Sequence, residues 1–259
     1  MNNPFTWDKV WLETKNDNAG FWAWIKREDG GLRGKKILGF ITKYLGDTRR
    51  IKTIEVGSGL GVYSFILAKR GAAVTLMDYS KEALCLAKKN FKSRGLTASF
   101  LCMDALNLDP NLRQQFDVAM SFGTIEHFEG EKRFNMAKAH FDLVRKEGVV
   151  IISVPNRLFF PHEILNFFLH RKNKWPLGYE KSFSRRELFR LAKRIGLKNT
   201  RVYGSAFITD FLRYIYVFCA TNFFKKFLKI RPKPVFFRDL ASPLDNLFGA
   251  DIFLMGCKP

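Results

Sequence analysis

Cysteine is scarce in this chain: Cys85, Cys102, Cys219 and Cys257 stand far apart, with no Cys-x-x-Cys pair. That spacing offers neither a disulfide framework nor a zinc site, and it fits a reducing compartment. Long apolar runs are missing too. In the most apolar stretch the longest charge-free run, residues 214–224, has 11 residues, where about 20 are needed to cross a bilayer. The opening residues, Met1-Asn2-Asn3-Pro4-Phe5-Thr6-Trp7, do not follow the basic-then-apolar plan of a secretory signal. A cytoplasmic location is expected, with membrane association left open. Acids are few: 24 Asp and Glu against 44 Lys and Arg, a net charge of +20. The excess is uneven, because residues 156–240 hold 19 Lys/Arg against 5 Asp/Glu, together with 14 of the 27 phenylalanines. Such a stretch suits an anionic membrane surface, nucleic acid or an acidic acceptor, and equally a solvated basic face around an ordinary core.

What is present begins at residues 53–61, Thr-Ile-Glu-Val-Gly-Ser-Gly-Leu-Gly, a short apolar strand running into a loop with glycine at every second position. A P-loop would end in Gly-Lys-Ser/Thr, but Gly61 is followed by Val62 and Tyr63. The dinucleotide fingerprint needs a third glycine three residues after the second, and that position is Val62. Glu55 is a carboxylate inside the strand, where an apolar residue would cost less. Two further strands also end in acids: residues 72–77 lead to Asp78, and residues 99–103 lead to Asp104. Ligands of open α/β sheets sit beyond the carboxyl ends of the parallel strands, so these acids should share a crevice. Asp78 is open to two readings, a ligand for ribose hydroxyls or a helix cap. Ser80, ahead of Lys81-Glu82-Ala83, is as good a cap. The alternating glycines are likewise a ligand loop or an ordinary strand-to-helix turn.

A fourth strand, residues 116–121, runs into Phe122-Gly123-Thr124-Ile125-Glu126-His127, and a fifth, residues 148–154, ends in Pro155-Asn156. In this order and spacing the series resembles the class I S-adenosylmethionine-dependent methyltransferases, in particular the small-molecule and quinone-biosynthesis group, over roughly residues 51–203. The resemblance implies that Gly57, Ser58, Gly59 and Gly61 lie under the methionine part of the cofactor, with Glu55 facing its ammonium end. It implies that Asp78 holds the ribose hydroxyls, that Tyr79, Met103 and Ala105 surround the adenine, and that Asp104 accepts from its amino group. Ser121 and Phe122 would line the methionine side. Glu126 and His127 match the pair that stands where the acceptor enters. His127 is then either a structural histidine or a general base, for which a pKa near 6.5 is suited. Glu126 is its orienting partner or a carboxylate complementing a helix dipole.

Helices are expected over 33–45, 62–70, 81–94, 131–145 and 184–195, with later strands over 198–203 and 251–258. That alternation predicts a Rossmann-like parallel sheet covered by helices on both faces. The resemblance adds that the seventh strand runs antiparallel between the fifth and sixth. Residues 1–50 read as a helical lid carrying Trp7, Trp11, Trp22 and Trp24, for cover or for packing. Residues 51–259 read as the methyltransferase domain, with phenylalanine-rich insertions at 158–178 and 205–249. The second insertion could lie in a membrane interface with Lys225, Lys226, Lys229 and Arg231 near headgroups, cap the acceptor pocket, or form a homodimer contact. The expected reaction moves a methyl group to an oxygen or carbon of a small or lipid-like acceptor, leaves S-adenosylhomocysteine and calls for no metal. An RNA methyltransferase using the basic face, and a non-catalytic cofactor-binding module at a membrane or partner, are the alternatives.

Overall fold

The computed structural model of the chain describes residues 4–14, 18–171, 178–219 and 239–259. A seven-stranded sheet runs in the order β3-β2-β1-β4-β5-β7-β6. Its strands are β1 (Lys52–Val56), β2 (Ala73–Asp78), β3 (Ser99–Cys102), β4 (Phe116–Phe122), β5 (Val144–Pro155), β6 (Lys198–Gly204) and β7 (Asp251–Cys257). The pairings from β3 to β5 are parallel, and β7 is antiparallel to both β5 and β6. This is the expected sheet. The chain leaves β1 toward β2 and returns on its other side as β4, so the order reverses between β1 and β4. A crevice opens at the carboxyl ends there.

The central strands are apolar on both faces, and alternation sends their side chains into two cores. Val118, Met120, Val149, Ile151, Phe253 and Met255 pack with Ile37 and Ile41 of α3 (Leu32–Leu45), Ile66 of α4 (Val62–Ala68) and Phe91 of α5 (Lys81–Lys92). Ala119, Val150, Ile152, Ile252 and Leu254 pack with Met136 and Leu143 of α6 (Gly130–Leu143) and Leu188 and Ile195 of α8 (Arg185–Ile195). Burying each of the larger side chains contributes about 1.5–3 kcal/mol. Ser80 accepts from the Ala83 N–H and so caps α5, while Ser184 and Glu187 form a reciprocal box at the start of α8, which ends on left-handed Gly196.

Two boundaries differ from expectation for one reason. Helix α6 stops at Leu143 because Val144 already pairs with Phe116, and the register then jumps so that Val118 faces Val149. Residues 145–147 make the resulting bulge, with Glu147 at φ +63°. The N-terminal region folds as α1 (Pro4–Thr14), α2 (Asn18–Gly30) and α3. The first insertion contributes α7 (Phe160–Arg171), and the second contributes α9 (Phe207–Cys219) and the short α10 (Asp245–Phe248). Trp175, Lys225, Lys226, Lys229 and Arg231 lie outside the described residues.

Candidate active site

The loop after β1 takes its shape from glycine and one carboxylate. Gly59 and Gly61 stand at φ +50° and +69°, conformations glycine adopts without penalty. A Cβ on Gly61 would lie 2.2 Å from a Leu76 methyl carbon, and one on Gly59 would lie 2.7 Å from the Trp11 ring. Asp78, at the tip of β2, accepts from the Gly59 N–H (2.8 Å) with Oδ2 and from the Ser80 N–H (2.9 Å) with Oδ1. With Ser80 capping α5, Asp78 is left to brace the glycine loop. Burial raises the Asp78 pKa above the ordinary carboxylate range, against the pull of these N–H donors, and nearby Asp8 adds to the rise.

Glu55 lies inside β1, nearly fully buried, and its Oε2 accepts from the Ser64 N–H (2.8 Å) and Oγ–H (2.6 Å). Burial pushes its pKa up to about 7; the Ser64 hydrogen bonds oppose the rise and Asp78 adds to it. Among the described residues no hydrogen bond engages Oε1. At the end of β3, Asp104 is exposed and caps a turn through the Leu106 N–H (2.9 Å), so its carboxylate stays at the rim. Phe122 stacks on Tyr63 with ring centroids 3.9 Å apart. Behind Tyr63 is a buried ion network: its hydroxyl donates to Glu28, and Arg33 donates to Glu28 (3.0 Å), Tyr63 (3.0 Å) and Asp251 (2.6 Å). Burial alone would raise the Glu28 pKa, but Arg33, Arg27 and the Tyr63 hydroxyl bring it down to about 2.

Beyond β4 the chain turns through Ile125–His127. His127 Nδ1 is 2.8 Å from the Tyr179 carbonyl oxygen, which can only accept, so Nδ1 carries the hydrogen and Nε2 the lone pair. Trp7 of α1 meets this imidazole edge-on at 5.0 Å. Burial holds the His127 pKa below 6.5, against the Tyr179 contact and the Glu180 charge, which raise it. Glu126 is also buried, and its Oε2 has no hydrogen-bond partner among the described residues. Burial first, then Glu180 and Asp251, raise its pKa well above 4.5. Next to it Glu180 accepts from His162 of α7 (2.9 Å), whose other ring nitrogen meets the Tyr214 hydroxyl (3.1 Å).

One cavity of about 1010 Å³ joins these groups. Of the expected residues, Glu55, Gly57, Ser58, Gly59, Asp78, Tyr79, Met103, Asp104, Ala105, Phe122 and His127 line it. Gly61 lies behind the loop against Leu76 and Phe91. Ser121 does not reach the wall: side chains alternate along β4, so its neighbour Phe122 takes the cavity side while Ser121 is fully buried, its Oγ unpartnered among the described residues. His162, Glu180 and Tyr179 line the cavity as well and were not anticipated. They meet Glu126 and His127 only through the fold, with no local pattern to mark them. Trp7, Val10 and Trp11 of α1 and Trp24 of α2 line the same cavity, Trp11 beside Gly59 and Trp7 against His127.

Residues 54–148, the segment that supplies the loop, the acid tips and His127, match the model of a family described as a methyltransferase domain. Over that segment the chain resembles methyltransferase domains. It is 31% identical over 134 residues to a ubiquinone biosynthesis O-methyltransferase of Aeromonas salmonicida, covering 52% of this chain and 49% of that protein. Against the enzyme of the same description from Coxiella burnetii it is 32% identical over 106 residues, covering 41% and 44%. The chain thus spans about half the length of the curated relatives it matches. Magnesium protoporphyrin IX methyltransferase from Synechocystis, solved with bound S-adenosylmethionine, superposes with a TM-score of 0.57 at 12% identity, covering 100% of this chain and 99% of that one. A 1,6-didemethyltoxoflavin N1-methyltransferase from Burkholderia thailandensis superposes at 0.55 with 14% identity, covering 100% and 91%. At these identities the likenesses show the fold alone, the Rossmann-like sheet with helices on both faces.

Proposed function

We propose that this protein transfers a methyl group from S-adenosylmethionine to an oxygen, or an activated carbon, of a small or lipid-like acceptor. The observation that carries the reading is the continuity of the cavity, which joins the glycine loop and its acids to the lone pair of His127. Ligand pockets typically measure about 300–1,000 Å³, and about 1010 Å³ has room for a nucleoside-sized donor and a modest acceptor together.

The residues present fit that donor. Each Asp78 oxygen uses one lone pair on a backbone N–H, leaving capacity for a vicinal diol. Glu55 presents a buried oxygen suited to an ammonium group, and the loop under it has no side chain at Gly57 or Gly59. Tyr79, Met103, Ala105 and Asp104 surround the far end, the last with a rim carboxylate that can accept from an exocyclic amine. When bound, the cofactor supplies an electrophilic methyl group on a positively charged sulfur. The protein's part is alignment and exclusion of water, which the α1 tryptophans over the loop provide. His127 is held neutral, with Nε2 free to accept the proton of an acceptor hydroxyl as that oxygen becomes nucleophilic. When protonated, which burial favours, Glu126 can donate a hydrogen bond toward the same end of the cavity.

Calorimetric titration with S-adenosylhomocysteine, followed by transfer of labelled methyl into lipid extracts and small hydroxylated compounds, tests the reading. Saturable binding and a labelled low-mass product are expected. A chain that binds neither the donor nor S-adenosylhomocysteine refutes it, and label appearing in RNA would move the acceptor to another class.

A further inference from the structure

Helices α7 and α9 are built inside out. On α7, Phe160, Ile164, Phe167 and Phe168 recur at helical spacing and are each more than half exposed, with Leu165 beside them. The opposite face carries the polar residues: His162 bonds Glu180 and Tyr214, and Glu163 accepts from Ser182 (2.6 Å). On α9, Ile208, Leu212 and Ile215 recur at i, i+4 and i+7 and are exposed. Inward are Thr209, fully buried and bonded to the Leu240 N–H, and Asp210, held by Ser205 and Arg213. The two helices touch through Phe160 and Phe211, with ring centroids 5.7 Å apart, so their apolar stripes adjoin. An ordinary surface helix has the reverse polarity, and a contiguous exposed apolar patch of this kind marks an interaction surface.

The charge around the patch indicates what it meets. Arg171 ends the α7 stripe, exposed, its guanidinium over the Phe167 ring at 5.7 Å, while Arg157 ahead of the stripe is about half exposed and paired with Glu187 (3.1 Å). Both carboxylates of these helices, Glu163 and Asp210, are turned inward. A guanidinium at the end of an aromatic face whose own carboxylates turn inward, in a stretch (156–240) with 19 Lys/Arg against 5 Asp/Glu, matches phosphate headgroups above a hydrocarbon layer. We propose that the outward faces of α7 and α9 seat the protein on an anionic lipid bilayer, as a peripheral contact that does not span it. The docking stands on exposure and charge alone. Because His162 on the back of α7 lines the cavity, a lipid-like acceptor would leave that bilayer beside the acceptor end, a corollary that rests on the methyl-transfer reading.

Flotation of the full chain with phosphatidylcholine vesicles, with and without phosphatidylglycerol, tests the docking. Binding to the mixed vesicles is expected, weaker on phosphatidylcholine alone and falling as salt is raised. The double variant Phe167→Ser, Phe168→Ser removes two side chains that the fold leaves exposed and should reduce binding by about tenfold or more. Arg171→Glu should reduce it severalfold on the anionic vesicles only. S-adenosylhomocysteine affinity, measured on each protein, should not change. The proposal is overturned if the native chain ignores the mixed vesicles, if the double variant binds them equally well, or if the native chain is a dimer that the double variant converts to monomer. Absence of S-adenosylhomocysteine binding in the native chain would count against methyl transfer and leave the docking result standing.

Discussion

Replacing Glu55 with glutamine should stabilise the protein and weaken cofactor binding at once. Ser64 donates twice to Oε2, and a glutamine oxygen can accept both bonds, with its NH2 in place of the Oε1 that has no described partner. What the substitution removes is a carboxyl whose pKa burial lifts from 4.5 to about 7. A carboxyl raised on folding is most favourable where it is protonated in both states, below about pH 4.5. Its contribution is lost as pH climbs toward 7, since the unfolded chain ionises first. At about 1.4 kcal/mol per pH unit, the loss amounts to about 3 kcal/mol. Native and variant proteins should therefore unfold alike near pH 4.5, with the variant gaining steadily to about 3 kcal/mol near pH 8.

Binding should run the other way. An ammonium group favours ionised Glu55, so native affinity for S-adenosylhomocysteine should rise between about pH 6 and 8 as the proton becomes easier to displace. The variant should bind roughly tenfold to hundredfold more weakly at pH 8, the worth of one charged hydrogen bond, and show no such slope. Urea unfolding and calorimetry at several pH values provide both readouts. Parallel stability profiles, or equal affinity in the two proteins, would refute the reasoning.

Asp78→Asn keeps one oxygen but replaces the other with a donor facing the Gly59 or Ser80 N–H, and should cost roughly tenfold to hundredfold in S-adenosylhomocysteine affinity by calorimetry. Gly59→Ala places a Cβ 2.7 Å from the Trp11 ring at φ +50°, so cofactor affinity and melting temperature should both fall. His127→Gln should lower kcat by about 10²–10⁴ with cofactor affinity unchanged. In the native enzyme kcat should rise with pH through a midpoint below 6.5 and then stay level, as the imidazole loses its proton, and the variant should lack that rise. Glu28→Gln should destabilise the fold by about 3 kcal/mol at pH 7 by breaking a buried ion pair. With the native Glu28 pKa near 2, that difference should be complete above about pH 4.5 and vanish as pH falls toward 2.

The sheet and the residues lining the glycine-loop end of the cavity were legible in the sequence because glycines and strand-end acids leave a local pattern. Glu55, Asp78 and Asp104 interrupt or end apolar strands, and alternating glycines admit one kind of turn. Ser121 was misplaced because adjacent residues of a strand face opposite layers, which a motif read as a block ignores. The start of β5 was missed because a bulge at 145–147 joins Val144 to a strand whose apolar run begins only later. The His127 end was largely illegible: His162 of the first insertion, and Tyr179 and Glu180 just after it, reach the cavity only through tertiary packing. Helical periodicity in α7 and α9 says that each has an apolar face but not which way it points. Only the placement of His162, Glu163 and Asp210 reveals that the faces are inverted.

The buried acids separate structure from ligand chemistry without reference to any relative. Glu28 is as buried as the others, yet Arg33 and Arg27 neutralise it and hold its pKa near 2, as suits a carboxylate whose task is to tie α2 to α3. Glu55, Asp78 and Glu126 are buried along one cavity, make no ion pair among the described residues, and have pKa values that burial pushes up. Evolving a fold around such groups is costly, and the cost is recovered only where the acids act on a ligand. Glu55 and Asp78 flank the glycine loop, where a cationic and diol-bearing molecule would relieve both. Glu126 stands at the other end beside His127, where burial favours its protonated form. The unpaired acids thus stand at both ends of one cavity, two beside the glycine loop and one beside His127, an arrangement in keeping with the proposed approach of a sulfonium donor to an acceptor.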